Sequence, residues 1–287
     1  MSPASDSLPC YGKINLFLEV QDKRPDGYHN IGTLFQTVNC FDQLAAETWD
    51  SLALVCPEGI TPDPEQNLVL KAARLIKSTY PDRVDARAGI RFTLEKNLPM
   101  GAGLGGGSSN AAAALVLCDR LWKLALSPAE MLALATRLGS DVPFFLLGDT
   151  AFGEGRGEEL KPAPTPYPFH VVIGTPRCHV DTAWAYGNLD QERKRQWGRF
   201  KALYVTFLED ADFYRVIHND FEAPVGRQFP LIRELSEKMA LHMPVKTMLS
   251  GSGASVFSLF TDKGRAQECL ESIQGICRYS VLTEFTP

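Results

Sequence analysis

Glycine fills five of the seven positions from 101 to 107, within LPMGAGLGGGSSNAAAAL (98–115), and the chain then runs into four alanines. Ordering glycine carries a large entropic cost, whereas an alanine run has high helix propensity. A chain built this way must place bare backbone at the start of a helix. It gains there a place where something approaches the peptide groups with no side chain in the way.

Three ligand-binding readings compete. Gly101-Ala102-Gly103-Leu104-Gly105-Gly106 matches G-x-G-x-x-G, but a dinucleotide site needs a strand leading directly into the loop and a second strand with an acidic end about 20 residues on. Here Pro99 stands between strand and loop, and helical sequence follows to about Leu124. A P-loop needs a lysine before its terminal serine or threonine, and this loop has none. The third reading is a concave run of backbone N–H groups that binds anions, reinforced by the positive end of a helix opening near Ser109. Ser108 and Ser109 offer hydroxyls to phosphate or magnesium, and Asn110 an amide. The competing view, a ligand-free connection, leaves the entropic cost of so many glycines without a return.

Around this loop the pattern is mixed. KINLFLEV alternates, with Ile14, Leu16, Leu18 and Val20 on a core face and Lys13, Asn15, Phe17 and Glu19 on the other. The turn signature Pro25-Asp26-Gly27 then predicts a hairpin with NIGTLFQTVN. Helical spacing covers 65–80, and alternation through Ile90, Phe92 and Leu94 predicts a strand. Leu115, Cys118, Leu121 and Trp122 give the post-glycine helix one apolar stripe. Ser127-Pro128-Ala129-Glu130 is a capping box that opens a helix to about Gly139. Asp141 caps a short helix in DVPFFLLG. The prolines of ELKPAPTPYPFHVVIG mark a boundary, giving domains 1–163 and 164–287. Beyond it come a strand at 169–174, a charged helical stretch including 190–212, a helix near 230–241, a strand-turn-strand at 245–260, a helix from Asp262 and a final strand. Strands and helices mixed with hairpins predict an α+β fold rather than a doubly wound sheet.

Composition narrows the partners. A net charge of −5 on 287 residues argues against a broad nucleic-acid surface, and 45% hydrophobic with 22% charged residues is ordinary for a globular protein. MSPASDSLPC has neither the basic start nor the apolar block of a signal peptide, and no apolar run is long enough to span a membrane. Seven scattered cysteines without a C-x-x-C pair read as reduced core thiols in a cytoplasm.

The segment PMGAGLGGGSSNAAAAL resembles the phosphate-binding loop of the GHMP kinases, the superfamily of galactokinase, homoserine kinase, mevalonate kinase and phosphomevalonate kinase. Its extra glycines, together with GKINLFLEVQDKRPDGYHNIGTLFQTV, are similar to the branch acting on a cytidine-diphosphate-linked methylerythritol. LGSDVPFFLLG (138–148) resembles the superfamily segment carrying the catalytic aspartate, and LSGSGASVF (249–257) its C-terminal glycine motif. Resemblance runs from about Tyr11 to about Phe260. PCYGKINL (9–16) departs from it, standing where the branch usually has a proline-alanine-lysine sequence, with Gly12 before Lys13 and with the lysine and asparagine retained.

The resemblance implies a two-domain α+β fold, with a ribosomal protein S5 domain 2-like N-terminal domain and a ferredoxin-like C-terminal domain. It implies transfer of the ATP γ-phosphoryl group to the substrate 2-hydroxyl, with magnesium accompanying ATP and no metal held by protein ligands alone. The ATP loop would be Pro99, Met100, Gly101, Ala102, Gly103, Leu104, Gly105, Gly106, Gly107, Ser108, Ser109 and Asn110, with Asn67 and Lys96 bordering the adenine. Asp141 would be the base and Lys13 its electrostatic partner. Taken without the family, Asp141 reads as a helix cap and Lys13 as a solvated lysine. Asn15, Tyr28, His29, Tyr186 and the Ser250-Gly251-Ser252-Gly253 turn would hold the substrate, Tyr28 and Tyr186 by stacking on cytosine. Partners are then small molecules, with no nucleic acid or membrane, for a monomer or homodimer. Two rivals remain: a homoserine or mevalonate kinase type, against which Tyr28-His29 argues, and a non-catalytic binding module, against which Lys13 and Asp141 argue.

Overall fold

The computed structural model describes residues 4–57, 59, 66–165, 167–189, 200, 202, 206, 207 and 217–286. Most of the charged 190–212 stretch lies outside the described residues. The chain forms two compact units, each assembled from separate segments: Met1–Gly12, Cys40–Met100 and Gly106–Leu147 in one, and Lys13–Asn39, Gly101–Gly105 and Gly148–Pro287 in the other. Strands β1 (Ser5–Lys23) and β2 (His29–Trp49) contribute one end to each.

In the first unit, Gln43–Trp49 of β2 pairs antiparallel with β4 (Gly89–Glu95), and β3 (Ala53–Val55) pairs parallel with β4. Ile90, Phe92 and Leu94 are buried, as the alternation predicts. They join a core with α1 (Leu68–Thr79), α2 (Gly106–Trp122), α3 (Pro128–Leu138) and α4 (Val142–Leu147). The predicted capping box holds in detail. The Ser127 hydroxyl accepts the Glu130 N–H, and the Glu130 carboxylate accepts the Ser127 N–H. Helix α2, however, opens at Gly106 rather than near Ser109. It is also buried around more of its girth than one stripe, because Ala111–Ala114 are small enough to sit inside the core.

In the second unit, Thr33–Gln36 of β2 pairs with β5 (Thr150–Glu154), which pairs with β6 (Glu159–Pro162). Neither strand was predicted; β6 lies where the prolines suggested only a boundary. A separate antiparallel sheet runs β10-β7-β9-β8, from β7 (His170–Pro176), β8 (Lys246–Leu249), β9 (Val256–Phe260) and β10 (Cys277–Glu284). The helices here are α5 (Thr182–Gly187), α6 (Glu222–Gln228, not predicted), α7 (Pro230–Ala240) and α8 (Lys263–Ile273). Ile232, Leu235, Met239, Ala266, Cys269 and Ile273 close the core against Val172, Val256 and Phe260.

β1 corrects the simple alternation. Both faces of 12–19 are buried, Lys13, Asn15, Phe17 and Glu19 as completely as Ile14 and Leu16. A solvated Lys13 is therefore overturned. At Gly12 a Cβ would meet the Cys40 carbonyl, the Cys40 Sγ and Leu98 at 3.4–3.5 Å, ordinary contact distances, so the departure from alanine leaves local packing unstrained. All seven cysteines are free, and five are buried. Burial pushes the Cys10 and Cys269 thiols up to about 12.

Candidate active site

In the second unit the Lys13 ammonium, on a residue only 4% exposed, donates to the Asn15 side-chain oxygen at 2.6 Å. The Asn15 amide donates to Thr33 Oγ1 at 2.8 Å, and that hydroxyl donates to the Phe17 carbonyl at 2.7 Å. Strand alternation explains the first contact, since residues i and i+2 share a face. Gly251 lies directly over the pair. A Cβ there would stand 3.5 Å from both Lys13 Nζ and Asn15 Oδ1.

The 101–105 loop is held by its carbonyls. Ala102 O accepts the Ser255 N–H at 3.0 Å, Gly103 O accepts the Ser250 hydroxyl at 2.9 Å, and Leu104 O accepts the Lys13 N–H at 2.9 Å. Gly101, Gly103 and Gly105 have φ of 57°, 81° and 70°, alternating with Ala102 and Leu104, which are outside that region. Such left-right alternation is the backbone pattern of anion-binding nests. The N–H groups of Gly103, Leu104 and Gly105 donate to no described residue. The loop's carbonyls at 102–104 are thus tied to the protein.

The need for glycine at 103 has a different origin from the one the sequence suggests. A Cβ there would lie 2.0 Å from the Ser250 carbonyl oxygen and 3.2 Å from that of Gly253. The two glycine motifs touch backbone to backbone. Ser250 is fully buried and its hydroxyl holds the other loop, while Ser252 bonds Thr182 at 3.1 Å.

In the first unit, Asp42 is the hub. It is fully buried; Oδ1 accepts the Asn97 and Leu98 N–H groups, both at 2.8 Å, and Oδ2 accepts Lys96 Nζ at 2.5 Å and Asn110 Nδ2 at 3.0 Å. Lys96 and Asn110, both expected at ATP, are thus structural partners of one carboxylate. Lys96 Nζ also lies 3.0 Å from where a Gly106 Cβ would stand. Asn67 caps α1, its side chain accepting the Val69 N–H at 3.0 Å. Leu68, beside it, is the neighbour of Gly107, at 3.8 Å from a would-be Cβ. So Asn67, Lys96, Gly106, Gly107 and Asn110 gather at the start of α2. Ser109 is buried and Ser108 half-buried in its first turn. Asp141 is half-buried and stands directly before α4.

The aromatic residues expected at the substrate lie in the second unit. The His29 and Tyr186 rings stack, 5.1 Å apart and 16° from parallel. Tyr186 also meets Phe221 edge-on at 4.9 Å. Tyr28, 55% exposed, has the Arg156 guanidinium 4.9 Å from its ring centroid. Sequence reasoning missed Asp42, Thr33 and Arg156: the first two are defined by partners distant along the chain, Arg156 meets Tyr28 only through the fold, and no local motif marks them.

The family model described as GHMP kinases N terminal domain matches residues 67–149, and GHMP kinases C terminal matches 207–277. A protein of Chloroherpeton thalassium named 4-diphosphocytidyl-2-C-methyl-D-erythritol kinase is 36% identical over 273 residues, 94% of each chain. The chain belongs to this kinase family, a branch of the GHMP kinases. A crystal structure of 4-(cytidine 5'-diphospho)-2C-methyl-D-erythritol kinase superposes with a TM-score of 0.80 at 32% identity, covering 98% of this chain and 100% of that one. A homoserine kinase from Cytophaga hutchinsonii shares the fold at 19% identity, TM-score 0.74, over 98% of this chain and 94% of that one. The kinase has, among its described residues, no helix long and apolar enough to cross a membrane and no group of three His, Cys, Asp or Glu fit to hold a metal.

Proposed function

We propose that this kinase uses Asp141 as general base and Lys13 as the cation that stabilises the transferred phosphoryl group. The reaction is that of its family: ATP phosphorylates the 2-hydroxyl of 4-(cytidine 5'-diphospho)-2-C-methyl-D-erythritol on the non-mevalonate route to isoprenoid precursors. The observation that supports the Lys13 role is its buried ammonium beneath Gly251, on a strand bonded to the 101–105 loop, while the Asp141 role rests on the family resemblance of LGSDVPFFLLG.

Phosphoryl transfer depends on alignment and on stabilising charge over the equatorial oxygens, with a residue to take the hydroxyl proton. The N–H groups of Gly103–Gly105 bind polyphosphate oxygens, and the first turn of α2 adds its positive end. Asn15 holds Lys13 and meets the polyol. Asn67 and Lys96 shape the adenine border as parts of the scaffold. Gly251 covers the Lys13–Asn15 pair, and Ser250, Ser252 and Gly253 fix that cover. Tyr28 stacks on cytosine, His29 binds its edge, and Tyr186 aligns His29 by ring contact.

The hydroxyls of Ser108 and Ser109 fit magnesium that is bound mainly through ATP phosphates, since no protein cage is present among the described residues. A magnesium ion held by these hydroxyls and the ATP phosphates would neutralise phosphate charge. The free thiols support a cytoplasmic setting. Matches of the N- and C-terminal family models on either side of 163/164 support a functional division there. A monomer or homodimer satisfies this scheme.

Asp141→Asn tests it. Asparagine keeps the shape and cannot accept the proton, and general base catalysis is typically worth about 10²–10⁴-fold. We expect kcat to fall by that factor, with KM for both substrates little changed in steady-state kinetics. Near-normal kcat would remove Asp141 as the base.

A further inference from the structure

Arg156 stands at the tip of the β5–β6 hairpin between Gly155 and Gly157, whose φ angles are 68° and 105°. The Gly155 carbonyl accepts the Ile31 N–H at 2.7 Å, tying the tip to β2 two residues past His29. Glu158 fixes the arginine twice. One carboxylate oxygen accepts the Arg156 backbone N–H at 2.6 Å, and the other accepts Nε–H at 3.2 Å. The guanidinium then lies over Tyr28, 4.9 Å from the ring centroid. The neighbouring Asp26 carboxylate hydrogen-bonds Arg24 and the Tyr28 N–H, and its charge also interacts with the Arg156 guanidinium.

With Nε on Glu158, the Nη1 and Nη2 groups hydrogen-bond no described residue. A purely structural arginine here would need only its Nε contact. Instead the side chain, 24% exposed, keeps a planar fork of donors unengaged beside an exposed aromatic ring. That fork matches the paired oxygens of phosphates. Its plane also favours the face of an aromatic ring. The guanidinium occupies one face of Tyr28, so a base stacks on the other. The acceptors that then extend beyond the ring edge are those of the diphosphate attached through ribose.

We infer that Arg156 is a specificity-determining residue, its Nη fork binding the diphosphate of the cytidine-linked substrate while its plane backs Tyr28. The inference rests on the assignment of Tyr28 to cytosine stacking. It is tested by Arg156→Met and Arg156→Lys alongside Tyr28→Ala. Each variant is assayed at saturating ATP for substrate KM and for competitive inhibition by cytidine diphosphate and by cytidine, which lacks phosphate. Arg156→Met should raise substrate KM and the inhibition constant of cytidine diphosphate about tenfold, the loss expected for a charged hydrogen bond. KM for ATP, which also reports an intact fold, and the cytidine constant should change less than about twofold. Lysine should restore part of the loss, and Tyr28→Ala should weaken both inhibitors. If Arg156→Met leaves cytidine diphosphate binding unchanged while Tyr28→Ala weakens it, Arg156 is excluded and Tyr28 stands. If Arg156→Met weakens cytidine equally, the arginine serves the base and the diphosphate assignment is overturned. If neither variant weakens either inhibitor, both assignments fall.

Discussion

Two lysines of this kinase are largely withdrawn from solvent, one paired within the scaffold and one proposed to act on the phosphoryl group. Lys96, with a side chain 7% exposed, faces the fully buried carboxylate of Asp42 at 2.5 Å. Its charge is matched inside the scaffold, where Asp42 also gathers two backbone N–H groups and the Asn110 amide. Lys13 donates to the side-chain oxygen of Asn15, lies 5.5 Å from the Phe35 ring centroid, and has Gly251 above it, where a Cβ would stand 3.5 Å from Nζ. A buried ammonium beside a carboxylate organises backbone. Under the roles proposed above, Lys13 acts on the transferred phosphoryl group instead.

Truncating each lysine in turn should separate the two roles most sharply. Lys13→Met should lower kcat by about 10²–10³, as for loss of a donor aimed at transition-state charge, with a small shift in the urea midpoint. Lys96→Met should leave kcat within a few-fold but destabilise by about 3–5 kcal/mol, because it strands the Asp42 charge. A stable Lys96→Met enzyme with raised KM for ATP would move Lys96 from scaffold to adenine pocket.

The same contrast divides the glycines. Gly103→Ala drives a Cβ into the Ser250 carbonyl, so the two loops must part. We expect kcat/KM to fall by about 10²-fold, the scale of a 1 Å misplacement, together with a lower melting temperature. Gly107→Ala meets only Leu68, at 3.8 Å, and should raise stability slightly through helix propensity. Any loss there should appear in ATP affinity by titration, and only if phosphate approaches position 107. The smallest effect belongs to Gly12→Ala, which fits at 3.4–3.5 Å within a strand. It should stabilise by at most about 0.5–1 kcal/mol, with activity unchanged. A destabilised protein would show that the departure from alanine is compensated elsewhere.

What sequence made legible was local. The Ser127–Glu130 box and the alternation of Ile90, Phe92 and Leu94 depend on neighbours three residues away or fewer, and both stand as predicted. The glycine loop was found, but the reason for Gly103 was not, since Ser250 lies 147 residues further on. Asp42 escaped notice for the same reason: its side-chain partners are 54 and 68 residues away. Strands β5 and β6 were missed because TAFGE and ELKP are short and interrupted by glycine or proline, and their pairing comes from the sheet rather than from propensity. The site chemistry became readable only by combining motif resemblance with the residue types at Lys13 and Asp141.

The backbone contact between Gly103 and Ser250 also bears on how this enzyme responds to selection. Resistance to an inhibitor usually arises when a contacted side chain is exchanged for another that still folds. At position 103 every L-amino acid brings a Cβ, and the space that atom requires holds a peptide carbonyl. A compound gripping the Gly103 backbone therefore meets a surface that cannot escape by substitution there, and the constraint extends to the turn from Ser250 to Gly253 that supplies the carbonyl.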